Sequence, residues 1–230
     1  MKALVFDTGP LISLSLNNLL VLLPKLRDRY KGDFFITPGV RREAIERPIE
    51  SKRFKFEALQ VLKQLHTAIL KMYENNELKD KTLNLLNLAN SIFKAHDNYI
   101  KIVHYTETEV IQSCLDMNAE AVVIDEFITR QLIENPEKVK ERLEKKLHLP
   151  IYTDENNLKK FQEITKGIKV IRSVELVTIA FELGLLDEFA LDIPEPRKTL
   201  LDGLLWGVKL NGCSVSQREI ERIIKIENSK

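Results

Sequence analysis

The sequence predicts an α/β fold, a mostly parallel central sheet with helices on both faces. Three observations carry that prediction. Short apolar runs recur along the 230 residues, and helical stretches alternate with them. The first two runs end in the same helix-start signal, a threonine with a proline one or two positions on, as Thr8-Gly9-Pro10 and Thr37-Pro38. Alternating strands and helices favour parallel strands, because a crossover helix packs back onto the sheet it leaves.

The first strand is read at Lys2 to Phe6, from the run Ala3-Leu4-Val5-Phe6. Leu11 to Leu23 follows as a buried helix that Pro24 ends. Gly32 to Ile36 is the second strand, and Val40 to Glu46 begins a helix that Pro48 breaks. From about 51 to 95 the apolar residues recur at helical spacing, first Ala58, Leu62, Leu65, Ile69 and Met72, then Leu78, Leu85, Ala89 and Ile92. That stretch is expected to be a helical hairpin turning near Asn75-Asn76, inserted into the α/β frame. Ile100 to Val103 is strand-like, Thr106 to Met117 helical, and Ala121 to Ile124 a clear strand. Helices at Phe127 to Glu134 and Glu137 to Leu147 precede a late strand, Ile168 to Ile171. The rest, about 173–228, reads as a C-terminal helical extension, with Ser216 to Glu219 as the capping box of its last helix. The whole of 1–230 is therefore expected to be a single domain.

Composition bounds the function classes. Hydrophobic residues make up 44% and charged residues 30%, so a core and a solvated surface are both available. No apolar stretch is long enough to span a bilayer, and Asp7 splits the N-terminal apolar run, so neither a membrane partner nor a signal peptide is expected. Cys114 and Cys213 cannot build a disulfide framework or a zinc site by themselves, and the four histidines lack metal-ligand spacing. The chain is accordingly read as cytoplasmic and reduced. Its net charge of +1 lends no global support to nucleic-acid binding, so any such contact must come from a local basic patch.

In a parallel α/β sheet, ligands gather outside the carboxyl ends of the strands. Asp7 closes the first strand and Asp125 closes Ala121 to Ile124. Two such carboxylates on neighbouring strands would repel, and a bound cation would relieve the repulsion. Oxygen-only ligation selects hard ions such as magnesium or manganese. Each aspartate could instead cap the helix that follows, although Gly9 and Pro10 place the first cap after Asp7. Glu126 reads as a solvated first-turn acid. No phosphate-cradling glycine loop follows any strand.

Leu4-Val5-Phe6-Asp7-Thr8-Gly9-Pro10-Leu11-Ile12 resembles the first motif of the PIN family, an apolar strand, Asp, Ser/Thr, a small residue and an apolar helix. Thr37-Pro38-Gly39-Val40-Arg41-Arg42-Glu43 resembles the second motif. Glu107-Thr108-Glu109-Val110-Ile111 and Ala121-Val122-Val123-Ile124-Asp125-Glu126 resemble the third and fourth. The resemblance covers most of the chain outside 51–95. It implies a PIN-like three-layer α/β/α fold and a magnesium- or manganese-dependent ribonuclease leaving 5′-phosphate and 3′-hydroxyl ends. It also implies that Asp7, Glu43, Glu109 and Asp125 are catalytic and hold the metal, with Thr8 beside them. Thr106 to Glu109 also reads as a capping box, which explains Glu109 without a metal and leaves Glu107 as the substitute.

Arg41, Arg42 and Arg130 are candidates for RNA phosphate contacts, because a guanidinium matches phosphate bidentately; surface ion pairing is the competing role. Phe54 and Phe56, among Lys52, Arg53 and Lys55, are read as core. The run Glu137 to Lys146 mixes both signs and reads as a solvated helix. The expected partner is RNA, single-stranded, with an antitoxin or assembly partner as the family implies. Extra apolar faces predict a homodimer. The alternative is a PIN-like module without catalysis that binds RNA or protein, using 51–95 as its partner surface.

Overall fold

A computed structural model describes every residue except Asn228 and Lys230. The architecture is α/β, an all-parallel five-stranded sheet flanked by helices, consistent with three α/β/α layers. The strands are β1 (Ala3–Phe6), β2 (Asp33–Ile36), β3 (Leu70–Met72), β6 (Ala121–Val123) and β8 (Lys169–Ile171), in the order β3-β2-β1-β6-β8. Leu4 lies opposite both Phe34 and Ala121, and Val122 opposite Val170. All residues of β1 and β6 are buried, as expected of central strands covered on both faces. The chain runs outward from β1 to β3, then returns to β6 on the other side of β1. That reversal puts a crevice at the carboxyl ends of β1 and β6, where Asp7 and Asp125 leave the sheet.

The first helical stretch is two helices. α1 (Thr8–Leu16) ends at Asn17, and Asn18 turns the chain with φ 56°. α2 (Leu22–Tyr30) carries Pro24 in its first turn, where a missing N–H costs nothing, so Pro24 starts a helix instead of ending one. Pro48 does not break its helix either. α3 (Pro38–Arg41) runs through a wide π turn (Arg42–Glu46) into α4 (Arg47–Glu50). The Arg47 N–H reaches the Arg42 carbonyl five residues back, and this wider turn makes room for the proline ring.

The stretch 51–95 is not a helical hairpin. Between α5 (Lys55–His66) and α6 (Leu78–Ala89) lies β3, which pairs with β2 as the edge of the main sheet. Ile69 and Met72 fall at helical spacing from Leu65, so periodicity alone could not separate three strand residues from helix. Ala68, at φ 55°, turns the chain out of α5. Phe56 is 67% exposed, not core; Phe54 is half-buried.

Ile100 to Val103 forms no strand. The Asn90 side chain accepts from the Ile102 and Val103 amides at 2.7 and 3.1 Å and donates to the Val103 carbonyl at 3.1 Å, replacing a ladder partner. Just before it, β4 (Phe93–Ala95) pairs with β5 (Asn98–Tyr99) and β7 (Ile151–Thr153) in a small antiparallel sheet. α7 (Tyr105–Met117), α8 (Phe127–Glu134) and α9 (Pro136–Leu147) lie within two residues of the expected bounds, and α10 (Glu155–Ile164) follows β7.

The C-terminal helices belong to the core. α11 (Ser173–Glu182) follows β8, and α12 (Pro196–Leu210) buries Leu201, Leu205 and Val208. Ser13 of α1 donates to the Val208 carbonyl. α13 (Gln217–Glu227) starts at the expected capping box, with Ser216 N–H on Glu219 at 2.8 Å. Position 228, the expected end of this extension, lies outside the described residues. No helix among the described residues is long and apolar enough to cross a membrane.

Candidate active site

Asp7 is the N-cap of α1, so the cap does not lie after it as the Gly9-Pro10 signal suggests. Its own N–H donates to the Val123 carbonyl, which continues the β1–β6 ladder and fixes the carboxylate at the switch point. The capping bond from Gly9 N–H is long, 3.5 Å, so the charge is poorly satisfied. The side chain is 5% exposed. Burial pushes its carboxyl up to about 7, the negative charges of Glu107 and Glu43 push the same way, and the Thr8 and Gly9 amides oppose them.

Glu43 enters from the π turn. One carboxylate oxygen accepts from the Thr106 hydroxyl at 2.7 Å, the other from the Thr8 hydroxyl at 3.3 Å. These bonds tie the starts of α1 and α7 to the turn and hold Glu43 beside Asp7. Thr8 thus donates to Glu43, a carboxylate whose charge acts on Asp7.

The third acid that couples to Asp7 is Glu107. Its Oε2 accepts from the His104 N–H at 3.0 Å and from the Thr129 hydroxyl of α8 at 3.1 Å. The capping box of α7 therefore starts two residues before the expected one. Burial raises the Glu107 carboxyl, the backbone bond lowers it, and the nearby Glu126 charge raises it again. Glu126 is not a solvated acid but the N-cap of α8, accepting from Thr129 N–H at 2.6 Å.

Glu109 and Asp125 are turned to other work. Glu109, 3% exposed, accepts from the Gly39 N–H at 2.7 Å and so caps the start of α3. Asp125, 2% exposed, accepts from the Ser173 N–H at 2.7 Å and the Ser173 hydroxyl at 2.8 Å. It pins the start of α11 to the end of β6, and burial raises its carboxyl against those bonds. Gly9 packs between the aspartates. A Cβ there would lie 3.6 Å from the Asp125 Cβ and 3.7 Å from the Asp7 Oδ2. Asp125 thus lies close to Asp7, with both of its oxygens engaged by Ser173.

Of the arginines, Arg41 pairs with Glu46 at 3.0 Å and Arg130 with Glu134 at 2.9 Å. The Arg130 side chain is only 13% exposed, which removes most of it from any ligand. Arg42 is exposed and lines a cavity of about 690 Å³ with Pro38, Asn75, Tyr105 and Glu109.

Among the described residues, no three His, Cys, Asp or Glu side chains converge closely enough to hold one ion, so a protein-only cage is absent. Magnesium does not require one. It is commonly held by one or two carboxylates, with water and substrate phosphate completing six positions. The donor set fits that mode, because buried Asp7 and half-buried Glu107 offer oxygen donors of like charge whose repulsion a hard cation relieves. The sequence could have marked Ser173, a polar helix start after an apolar strand; it gave no sign that Thr106 and Thr129 orient Glu43 and Glu107. Comparison of the chain with family models, curated proteins and solved structures finds no match.

Proposed function

We propose that the chain is a divalent-metal-dependent endoribonuclease of the PIN type, with Asp7, Glu43 and Glu107 as its acidic cluster. The observation that carries the reading is a buried aspartate at the sheet's switch point, with two further carboxylates raising its proton affinity. Such mutual repulsion is kept where a cation or a proton is to be received. A bound magnesium or manganese ion would supply positive charge to the phosphate and lower the pKa of a water. Asp7 and Glu107 would hold it, with Asp7 presented as the N-cap of α1. Glu43 is aimed by Thr8 and Thr106, and Glu107 by His104 N–H and Thr129, so neither needs to reorganise. Asp125 and Glu109 position the walls of the site through α11 and α3.

That no three acids converge among the described residues leaves room for one second reading, a PIN-like module that binds RNA or protein without cutting. Labelled single-stranded RNAs incubated with magnesium, manganese or chelator separate the two. Cleavage that needs metal and drops at least about 100-fold in Asp7→Asn and Glu107→Gln supports the nuclease. Folded protein that binds RNA equally with and without Asp7, and cuts none, selects the module.

A further inference from the structure

The run Glu137 to Lys146, read from sequence as an ordinary solvated helix, is not uniform in three dimensions. Val139 and Leu143 bury one face of α9. Lys138, Arg142 and Lys145 recur at i, i+4 and i+7 on an exposed stripe, and Lys146 adjoins it. With Phe127 and Glu141 they line a groove of about 510 Å³. Among the described residues, none of these four cations is held in an ion pair, whereas Lys140 on the same helix pairs with Glu137. The Arg142 guanidinium lies over the Phe127 ring, 4.4 Å from its centroid, and Arg130 approaches the same ring at 5.8 Å. An aromatic shelf of this kind holds a guanidinium in place without neutralising it. The groove has an address as well. Phe127 directly follows Glu126, whose charge acts on Glu107, so its wall starts one residue beyond an acid that borders the cluster.

We infer that the α8–α9 groove is a docking track for the sugar-phosphate backbone of single-stranded RNA. This rests on the nuclease reading for the identity of the polymer. A chain of net charge +1 has no general excess of cations, so four unpaired ones along one groove form a local footprint. The track offers point charges and one stacked guanidinium with no array of base-reading groups, so it positions the strand without selecting sequence. The carboxylates repel phosphate, and the adjacent track offsets that repulsion.

The test is fluorescence anisotropy of a labelled oligouridylate with the full chain in chelator, titrated across salt concentrations, with cleavage assayed separately in magnesium and manganese. Lys145→Gln/Lys146→Gln is compared with Lys159→Gln/Lys160→Gln on α10, which makes the same change in net charge at another exposed site. Single-stranded binding loses about 0.7 of log-log salt slope per phosphate contact, so the groove variant should lose about 1.4 and bind about tenfold more weakly near 0.15 M salt. Arg142→Gln should weaken binding in the same sense. Unchanged affinity, or equal weakening in the α10 control, overturns the track. Polyglutamate of matched charge, bound as tightly as RNA and equally sensitive to the groove variant, overturns the assignment to RNA. If wild type and groove variants cut and bind alike, the track fails while the nuclease stands. If nothing cuts but the groove variant alone loses RNA, the track stands and the nuclease reading fails.

Discussion

Replacing Asp7 with asparagine should make the metal-free protein more stable at pH 8, although the substitution removes a candidate catalytic group. The folded carboxyl titrates at about 7 against an ordinary 3.8, roughly three units. Each unit corresponds to about 1.4 kcal/mol, so ionised Asp7 costs the fold about 4 kcal/mol. The sign follows from proton binding. Between pH 4 and 7 the folded state keeps a proton that the unfolded state has lost, so stability falls as pH rises and levels off above 7. Asparagine keeps the shape and caps a helix as well as aspartate does, so α1 loses little. Wild type and Asp7→Asn should therefore nearly coincide at pH 4 and separate by about 4 kcal/mol at pH 8. At 2–4 °C per kcal/mol for a chain of this size, that is a melting difference of about 10 °C. Thermal or urea unfolding of both proteins from pH 4 to 8.5 in chelator measures it. A pH-independent difference, or a less stable asparagine variant at pH 8, would refute the argument that burial and Glu107 raise Asp7. Adding magnesium should narrow the gap by stabilising wild type alone, because binding to the folded state adds stability by mass action.

Three further outcomes follow from the same geometry. Glu109→Ala should cost about 1–3 kcal/mol in urea unfolding, because it leaves the Gly39 N–H buried without an acceptor. A loss of cutting with unchanged stability would instead put Glu109 in the chemistry. Asp125→Ala strips both acceptors from Ser173 and should destabilise by about 2–5 kcal/mol, loosening α11 most, as hydrogen exchange of its first turn would report. Wild-type protection there would contradict the anchoring role. Gly39→Ala should lower the melting temperature, since its Cβ would lie 2.6 Å from the Glu109 Oε2, and the crowding costs about 1–3 kcal/mol. An unchanged melting curve would mean that α3 can shift at no cost.

The sequence alone determined what is local. Apolar runs with proline-marked helix starts specified β1, β2 and the starts of the helices after them, and the bounds of α7, α8 and α9 were legible to within a residue. It also placed Asp7 and Asp125 at strand ends, because an acid directly after a buried strand is where the chain leaves the core. Only the tertiary structure decided which carboxylates share a site. Glu107 and Glu109 lie two residues apart, about 200° around α7, so one faces Asp7 while the other faces the start of α3. Asp125 was legible as a strand-end acid, but its partner Ser173 is 48 residues away, and no local pattern announces that pairing. β3 was hidden for a related reason. Three residues carry too little periodicity to separate strand from helix, and what makes Leu70–Met72 a strand is the open hydrogen-bonding edge of β2 beside it.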